Sequence, residues 1–316
     1  MDPPPLYDLA TLPALEGRPS ITIGNFDGVH LGHLEVVEAL VGSAKRRGAA
    51  AVVLTFEPHP GRVLHPDRPL PAITTPAQKA RLLRLAGVER TLFLRFTVEL
   101  AQLEAEPFVE QVLVQALRAG EIVTTPTFRF GHDRGGDTAT LEACGRRFGF
   151  SVELVGELDH GGPPISSTRI REQLRRGEVT AARELLGRPY SIEGRVVRGA
   201  GRGAALGFAT ANLETDNELF MARGVYAVQV RIGARAAYGL TNVGVRPTFG
   251  EERLTVETHL LDFHEALLGQ ALELRFLERI RDEKRFAGAR ELSEQIRRDI
   301  ETARRLFAAA ALDARG

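Results

Sequence analysis

Residues 21–33 of the chain read ITIGNFDGVHLGH. The pattern predicts a short apolar strand, then a turn rich in glycine and polar residues, then a helix that begins near Leu31. Such a turn leaves backbone N–H groups uncovered, and the positive end of the helix points to the same place. His30 and His33 would lie on one face of the first helical turn. The segment therefore suits the binding of a triphosphate.

Short β-branched runs alternate with longer helical patterns up to about residue 186. The predicted strands are Ser20–Ile23, Ala50–Phe56, Thr91–Phe96, Glu121–Thr125 and Ser151–Val155, and the predicted helices include Gln78–Leu85, Pro107–Leu117 and Thr138–Arg147. This alternation favours a doubly wound parallel sheet, in which ligands bind at the carboxyl ends of the strands. The turn after residue 23 lies at such an end.

The pattern changes at residues 187–190, which read GRPY. Consecutive strands separated by Gly, Asp and Asn turns are predicted at Ser191–Arg198, Val225–Ile232, Ala236–Val243, Thr255–Phe263 and Ala271–Ile280. They favour an antiparallel barrel or sandwich. Apolar residues at helical spacing then predict one closing amphipathic helix over Gly288–Leu312. We expect two domains, 1–187 and 188–316.

Composition narrows the class of protein. The 316 residues are enough for two domains, each with its own core, and 41 Lys and Arg balance 41 Asp and Glu, so the charge does not favour a nucleic-acid partner. Cys144 is the one cysteine, which excludes an internal disulfide and a cysteine-rich metal site; we expect it to be a small apolar helix residue. No apolar run approaches the ~20 residues of a membrane span and no secretory signal pattern is present, so we expect a soluble cytoplasmic protein.

Two further segments of the first half carry candidate functional residues. Residues 165–171 read ISSTRIR, in which hydroxyls can cap a helix and arginines can pair with phosphate. Residues 56–60 read FEPHP and follow a predicted strand. From the residues alone, the ordinary interpretation is favoured for each segment: a capped helix for the first, a rigid loop with a surface histidine for the second, and a packed strand-turn-helix for residues 21–33.

Taken in order, the three segments resemble the GxFDGxHxGH, FEPHP and ISSTxxR elements of the HxGH nucleotidylyltransferases, and within them the amino-terminal module of bacterial bifunctional riboflavin kinase/FAD synthetases. The resemblance implies adenylyl transfer from ATP to FMN, which gives FAD and pyrophosphate. It implies that His30 and His33 are catalytic. It also implies phosphate-binding roles for Gly24, Phe26, Ser167, Thr168 and Arg171, and a flavin-binding region that includes Phe56 and His59.

This half departs from the family pattern at two places. The family has a Gly-Xaa-Asp/Asn segment before Phe-Xaa-Phe-Gly, here residues 128–131, and this chain has Thr125-Pro126-Thr127 instead. Pro164 stands where many members have an arginine. A guanidinium paired with phosphate contributes ~1.5–3 kcal/mol as a charged hydrogen bond. We therefore expect slower transfer with nucleotide binding retained.

A glycine-rich segment marks the second half. Residues 199–213 read GAGRGAALGFATANL, which is not a Walker A motif because no Gly-Lys-Ser/Thr follows. Glycines let backbone N–H groups approach phosphate, and the Thr210 hydroxyl and Asn212 amide oxygen are hard ligands suited to Mg²⁺. A glycine-rich β-turn would have the same composition. The segment resembles the GxPTAN element of riboflavin kinases, with Ala209 in place of the proline.

Three more segments follow in the order of the kinase module: TNVGVRPTF at 241–249, VETHL at 256–260 and IRDEKRF at 280–286. Glu257 alternates with apolar neighbours, and a surface-strand carboxylate is the ordinary interpretation. The resemblance implies instead that Glu257 takes the proton from the ribityl 5′-hydroxyl. It further implies ATP-binding roles for Gly201, Gly207, Thr210 and Asn212, metal binding by Thr210 and Asn212, and flavin binding by Asn242 and Arg246.

The chain is thus identified as a member of the bacterial riboflavin kinase/FAD synthetases. This implies an α/β doubly wound nucleotidylyltransferase domain, followed by an antiparallel β-barrel riboflavin kinase domain with a C-terminal helix. The substrates would be riboflavin, FMN and ATP with Mg²⁺. Three alternatives stay open: a monofunctional riboflavin kinase with a degraded adenylyltransferase module, a non-catalytic flavin- or nucleotide-binding protein, and an adenylyltransferase for another phosphorylated precursor.

Overall fold

The computed structural model describes residues 3–156, 162–199, 210–218, 220–248 and 251–313. Backbone contacts divide the chain into two compact units, Met1–Ser167 and Thr168–Gly316. Among the residues so described, no helix is both long and apolar enough to cross a bilayer.

Strands and helices alternate in the first unit. Its strands are β1 (Leu6–Tyr7), β2 (Ser20–Ile23), β3 (Ala51–Glu57), β4 (Arg90–Arg95), β5 (Glu121–Thr124) and β6 (Ser151–Leu154). Its helices are α1 (Leu31–Arg47), α2 (Pro60–Leu64), α3 (Pro76–Leu85), α4 (Val98–Ala101), α5 (Ala105–Phe108) and α6 (Thr138–Phe148). Short 3₁₀ turns occupy Leu9–Thr11 and His132–Arg134, and the predicted helix 107–117 begins as α5 and continues as a π-helical segment, Val109–Ala116.

The strands form one parallel sheet in the order β1-β4-β3-β2-β5-β6. This confirms the predicted doubly wound sheet. The chain adds β3 and β4 on one side of β2 and then returns to add β5 and β6 on the other side. Ligands of such sheets bind beside the strand where the order reverses, at its carboxyl end. The turn that follows β2 therefore lies where the fold favours a ligand.

Helices cover both faces of this sheet, which explains why its central strands are apolar without alternation. Ile21, Val53 and Ile122 are fully buried on neighbouring strands, and two apolar clusters pack against the sheet. Cys144 lies buried in one of these clusters, as predicted, and burial raises the pKa of its thiol.

One buried carboxylate stabilises the opposite, amino-terminal edge of the sheet. Glu121 Oε2 accepts hydrogen bonds from Ser20 Oγ at 2.8 Å and Ser43 Oγ at 2.6 Å. Both hydroxyls are buried with it. Glu121 thereby joins β5, β2 and α1.

We expect Glu121→Ala to lower the free energy of unfolding by about 3 kcal/mol, because two buried hydroxyls lose a charged acceptor. Urea denaturation of the full chain measures the change. Glu153→Ala is the matched control, since Glu153 pairs with Arg46 at the surface, where an ion pair contributes ~1 kcal/mol or less. Equal stability of the two variants would contradict the assigned role of Glu121.

The second unit begins with two helices and continues as a barrel. Helix α7 (Ser167–Arg176) starts at the last residue of the first unit, and α8 (Val179–Leu186) follows it. The strands are β7 (Ser191–Val197), β8 (Thr210–Glu214), β9 (Gly224–Ile232), β10 (Arg235–Thr248), β11 (Glu251–Leu260) and β12 (Ala271–Arg281), and the chain ends in α9 (Ala289–Asp313). The strands close into an antiparallel barrel in the order β10-β11-β8-β7-β12-β9. The predicted antiparallel barrel and closing helix are confirmed.

Three strands of the barrel differ from the prediction. The sequence predicts residues 210–214 only as the end of a glycine-rich loop, because the apolar face of β8 contains only Ala211 and Leu213. The ladder between β10 and β11 runs from Gly239 opposite Leu260 to Thr248 opposite Glu251, which extends both strands beyond the predicted ends at 243 and 255. Strand β11 stops at residue 260, and Asp262 has a left-handed φ of 53° in the turn that follows. Backbone pairing with a neighbour, and not apolar alternation, sets these limits.

Helix α9 packs on the outer surface of the barrel. Val225, Ala227 and Leu240 form an apolar cluster with Ala303 and Phe307 of the helix. An ion pair fixes the register of helix and strand, since Arg281 Nη2 lies 2.8 Å from Asp299 Oδ2 and both side chains are largely buried. This gives a structural role to Arg281 of the IRDEKRF segment, whose individual roles the sequence left open.

Candidate active sites

The turn after β2 has an unusual backbone that a neighbouring loop holds in place. Phe26 and Val29 are buried and have φ angles of 47° and 40°, a left-handed conformation that costs energy for side chains other than glycine. The Asp27 carboxylate accepts hydrogen bonds from the backbone N–H groups of Ile73 at 3.0 Å and Thr74 at 3.2 Å. Strained backbone retained by such buried contacts is typical of functional sites.

At two positions of this turn, neighbouring side chains lie too close to the backbone for a residue with a Cβ atom, so glycine is required. Gly28 has a φ of 83°, and a Cβ there would lie 3.2 Å from the Ile73 side chain. Its backbone N–H donates to Thr74 Oγ1 at 3.2 Å. A Cβ on Gly24 would lie 3.0 Å from the ring of Phe26. The turn therefore folds tightly over its own aromatic residue.

His30 and His33 meet at the start of α1. His30 is the N-cap residue, and its Nδ1 accepts a hydrogen bond from the His33 backbone N–H at 3.3 Å. The two imidazoles stack with centroids 3.6 Å apart, and the Phe26 ring lies 5.0 Å from that of His33. A neutral imidazole has one nitrogen that accepts and one that carries a proton. Because Nδ1 of His30 accepts, the proton of the neutral ring is on Nε2, and Nε2 can donate a hydrogen bond to a ligand.

Two residues of the ISSTRIR segment, Ile165 and Ser167, approach the same turn. Ser167 Oγ donates to the backbone carbonyl of Asp27 at 2.9 Å, across 140 residues of sequence. The carbonyl of Ile165 lies 3.9 Å from where a Cβ on Gly32 would be. Thr168 and Arg171 follow in α7; Thr168 is exposed and Arg171 is buried.

The FEPHP loop lies at the carboxyl end of β3, the strand beside β2. Thr55 Oγ1 donates to the carbonyl of Asn25 at 3.0 Å, which joins this strand to the turn. Phe56 packs edge-on against Phe96 with ring centroids 5.5 Å apart. His59 is the N-cap of α2 and accepts from the Gly61 N–H at 3.0 Å, and the peptide bond between Glu57 and Pro58 is cis.

One of the two departures from the family pattern, at residues 125–127, lies at the same edge of the sheet. Residues 125–127 follow β5, which pairs with β2 on the side opposite β3. The hydroxyls of Thr125 and Thr127 are 3.3 Å apart, so they offer two hydroxyl oxygens where the family pattern has an amide or carboxylate. Pro164 is exposed.

In the barrel, three polar residues from three neighbouring strands share one face. Glu257 on β11 lies directly opposite Asn212 on β8 and directly opposite Asn242 on β10. Val256 and Thr258, which flank Glu257, are buried on the other face. Side chains directly opposite each other have Cβ atoms about 4.5–5.5 Å apart. The register thus places one carboxylate between two amides.

Thr210 and His259 extend this face by one further pair, since they also lie directly opposite each other. Sequence reasoning selected Thr210 and missed His259, although its position two residues after Glu257 on a strand would have placed both on one face. The Asn212 amide packs directly over the backbone of Gly199. Gly201, Gly207 and the side chain of Arg246 lie outside the described residues.

Comparisons with known proteins cover both units. Residues 13–169 match the family model described as FAD synthetase, and residues 186–307 match the one described as riboflavin kinase. The bifunctional riboflavin kinase/FMN adenylyltransferase of Escherichia coli K12 is 38% identical over 288 residues, which is 91% of this chain and 92% of the relative. The protein of that description from Haemophilus influenzae is 37% identical over 289 residues, 91% and 94% of the two chains.

A solved structure has the same fold over nearly the full length. It is the crystal structure of a Streptococcus pneumoniae protein described as a macrolide-efflux protein, with 31% sequence identity and a TM-score of 0.84. The match covers 95% of this chain and 98% of that one.

Proposed function

The chain belongs to the family of bifunctional riboflavin kinases/FMN adenylyltransferases, and we propose which of its residues carry each of the two reactions. It phosphorylates riboflavin to FMN with ATP and adenylylates FMN to FAD. Because the similarity covers both halves, the alternatives of a kinase with a degraded partner module and of a non-catalytic binding protein are not favoured.

The kinase assignment is carried by the register that puts Glu257 between Asn212 and Asn242. Glu257 takes the proton of the ribityl 5′-hydroxyl as its oxygen attacks the γ-phosphorus of ATP, and ADP leaves. A carboxylate within hydrogen-bond reach of the attacking hydroxyl is what this reaction needs from a base. By the family pattern, flavin binding is assigned to Asn242 and Arg246, and ATP binding to Gly201 and Gly207.

Two oxygen atoms beside Glu257 are suitable ligands for a magnesium ion. The Thr210 hydroxyl and the Asn212 amide oxygen are two residues apart on β8, so they share the face of Glu257. Both are neutral hard oxygen ligands, and Mg²⁺ is commonly bound by a few protein oxygens together with substrate phosphates. When bound, the ion neutralises charge on the ATP phosphates.

We expect Asn212→Ala to raise the Mg²⁺ concentration for half-maximal FMN formation by about tenfold or more, because loss of even a group that only supports a metal ligand costs ~10–100-fold in affinity. Titration of Mg²⁺ at fixed ATP and riboflavin measures it. FAD formation from added FMN by the same variant is the internal control, and its Mg²⁺ dependence should not change. An unaltered titration of the kinase reaction would remove Asn212 from the metal assignment.

Adenylyl transfer is assigned to the turn after β2. A phosphate oxygen of FMN attacks the α-phosphorus of ATP and pyrophosphate leaves, so the protein mainly positions the reactants and stabilises charge. His30 donates from Nε2 to the phosphates, and His33 stacks against it as the second catalytic histidine. The turn at Gly24 and Phe26 lies beside the phosphates, and the amino end of α1 adds positive potential there.

The remaining residues of the first-half motifs complete this assignment. Ser167, whose hydroxyl contacts the carbonyl of Asp27, supports the turn, and Thr168 and Arg171 hold phosphate. Phe56 and His59 line the region of the flavin nucleotide. With only hydroxyls at Thr125 and Thr127 and a proline at 164, the transfer is slower than in members that have the usual partners.

Product analysis tests both assignments. The purified full chain is incubated with Mg·ATP and either riboflavin or FMN, and the flavins are separated by chromatography. We expect FMN followed by FAD from riboflavin, and FAD with pyrophosphate from FMN. Failure to form FAD in both arms, with FMN formed from riboflavin, would overturn the adenylyl-transfer assignment alone. Absence of both FMN and FAD in the riboflavin arm would overturn the kinase assignment.

A further inference from the structure

A buried lysine lies under the adenylyl-transfer turn. The chain has three lysines, at positions 45, 79 and 284. Lys79, on α3, is 4% exposed. A charged ammonium is rarely buried to this extent without a specific partner. The described residues provide such partners at the carboxyl edge of the sheet.

The ammonium reaches the turn through one hydroxyl. Lys79 Nζ lies 3.4 Å from Thr55 Oγ1, and that hydroxyl donates to the carbonyl of Asn25 at 3.0 Å. The ring centroid of Phe93 is 5.7 Å from Nζ, a distance that allows a cation–π contact. Lys79 is therefore connected to the first residues after β2 without exposure to solvent.

The amino end of α3 is tied to the same turn by a second route. Thr75 caps the helix, since its Oγ1 accepts from the Gln78 N–H at 3.2 Å. The two residues before the cap, Ile73 and Thr74, donate their backbone N–H groups to the Asp27 carboxylate. Helix α3 thus contacts the turn at Asn25, through Lys79 and Thr55, and at Asp27, through residues 73–74.

Three charged groups act on the ammonium. Asp27 on the turn and Glu57 at the end of β3 attract it, and Arg62 on α2 repels it. Burial lowers the pKa of Lys79, and the two carboxylates oppose this effect.

We propose that Lys79 is a positioning residue for adenylyl transfer, whose buried positive charge holds the turn at Asn25–His30 and the loop at Glu57–Pro60 in one arrangement. The proposal rests on the assignment of adenylyl transfer to this turn. Lys79 acts through Thr55 and Asn25 and through the Asp27 and Glu57 carboxylates. Displacement of a reacting group by about 1 Å can cost 10²-fold in rate, so a small shift of the turn is sufficient.

The first test removes the charge and keeps the length of the side chain. We expect Lys79→Met to lower kcat for FAD formation by about 10²-fold, with KM for FMN and ATP changed much less. Riboflavin phosphorylation by the same preparation should be unchanged, and Lys45→Met, at an exposed lysine of α1, should leave both activities unchanged. A Lys79→Met enzyme with wild-type kcat for FAD formation would overturn the proposal.

A second variant separates positioning from mere stability. Because the pKa of Lys79 is lowered, we expect FAD formation to fall on the alkaline side at a pH below that of an ordinary lysine. In Lys79→Arg the side chain keeps its charge at alkaline pH. The rate of FAD formation by this variant, divided by its maximum over the pH range, should therefore not show the decline.

The outcomes distinguish the proposal from the site assignment. The same alkaline decline in Lys79→Arg and wild type overturns the role of Lys79, even if Lys79→Met does not fold. If changing His30 also leaves FAD formation unaffected, the site assignment itself has failed. Loss of activity on changing His30, combined with wild-type behaviour of both Lys79 variants, rejects Lys79 alone.

Discussion

Replacing Glu257 by glutamine should lower kcat for FMN formation by about 10³-fold, within the 10²–10⁴-fold range for loss of a general base. Glutamine keeps the shape of the side chain between Asn212 and Asn242 but does not accept the hydroxyl proton. Because Glu257 is partly exposed, the fold should tolerate the change. Initial rates of FMN formation from riboflavin and Mg·ATP measure the effect.

Two controls accompany this variant. FAD formation from added FMN should be unchanged in Glu257→Gln, since that reaction is assigned to the other unit. Glu265→Gln alters an exposed carboxylate that pairs with Arg235 at the surface, and it should leave both reactions unchanged. A Glu257→Gln enzyme that forms FMN at more than a tenth of the wild-type rate would show that this carboxylate is not the base.

The second large effect is expected at His30, where asparagine should lower kcat for FAD formation by about 10²–10³-fold. This is the range for loss of one hydrogen-bond donor to charge that develops in a transition state. Asparagine is a favoured N-cap residue and can still accept the His33 N–H bond, but it lacks the Nε2–H donor. Helix α1 should therefore stay intact while the phosphate contact is lost.

Several comparisons make the His30 result interpretable. Riboflavin phosphorylation by His30→Asn should match wild type, and His264→Asn, at an exposed position in the barrel unit, should leave both reactions unchanged. His30→Ala loses the cap as well, so its free energy of unfolding should fall by a further ~1 kcal/mol. If His30→Asn makes FAD at the wild-type rate and only His30→Ala is impaired, the side chain has a structural role alone.

Much of the architecture was predictable because it depends on short-range patterns. The β-branched runs predicted the central strands of the sheet, and the change at residues 187–190 predicted the switch to antiparallel strands. Strand β8 was missed because two apolar residues give little alternation. The long hairpin of β10 and β11 was predicted too short, since its outer ladder contains polar residues that only pairing holds in a strand.

The candidate residues were predictable to a smaller extent. Motif resemblance selected Glu257 and His30 as candidates. It did not indicate that the Asp27 carboxylate accepts hydrogen bonds from the backbone N–H groups of residues 73 and 74. Nor did the periodicity of α3 reveal that Lys79 points into the sheet edge instead of solvent. These contacts join positions about 20 to 50 residues apart in the sequence.

The ITIGNFDGVHLGH segment and the alternation around it predicted the parallel sheet, and the motifs of both halves taken in order predicted the family. Hydrophobic periodicity and glycine turns are local properties, so one sequence contains them. Tertiary structure alone decided that Ser167 contacts Asp27, that Asn212, Glu257 and Asn242 share one face, and that a lysine is buried beneath the turn. The reason is physical: a shift of one residue in strand register moves every side chain to the other face, and register is set by packing between distant segments.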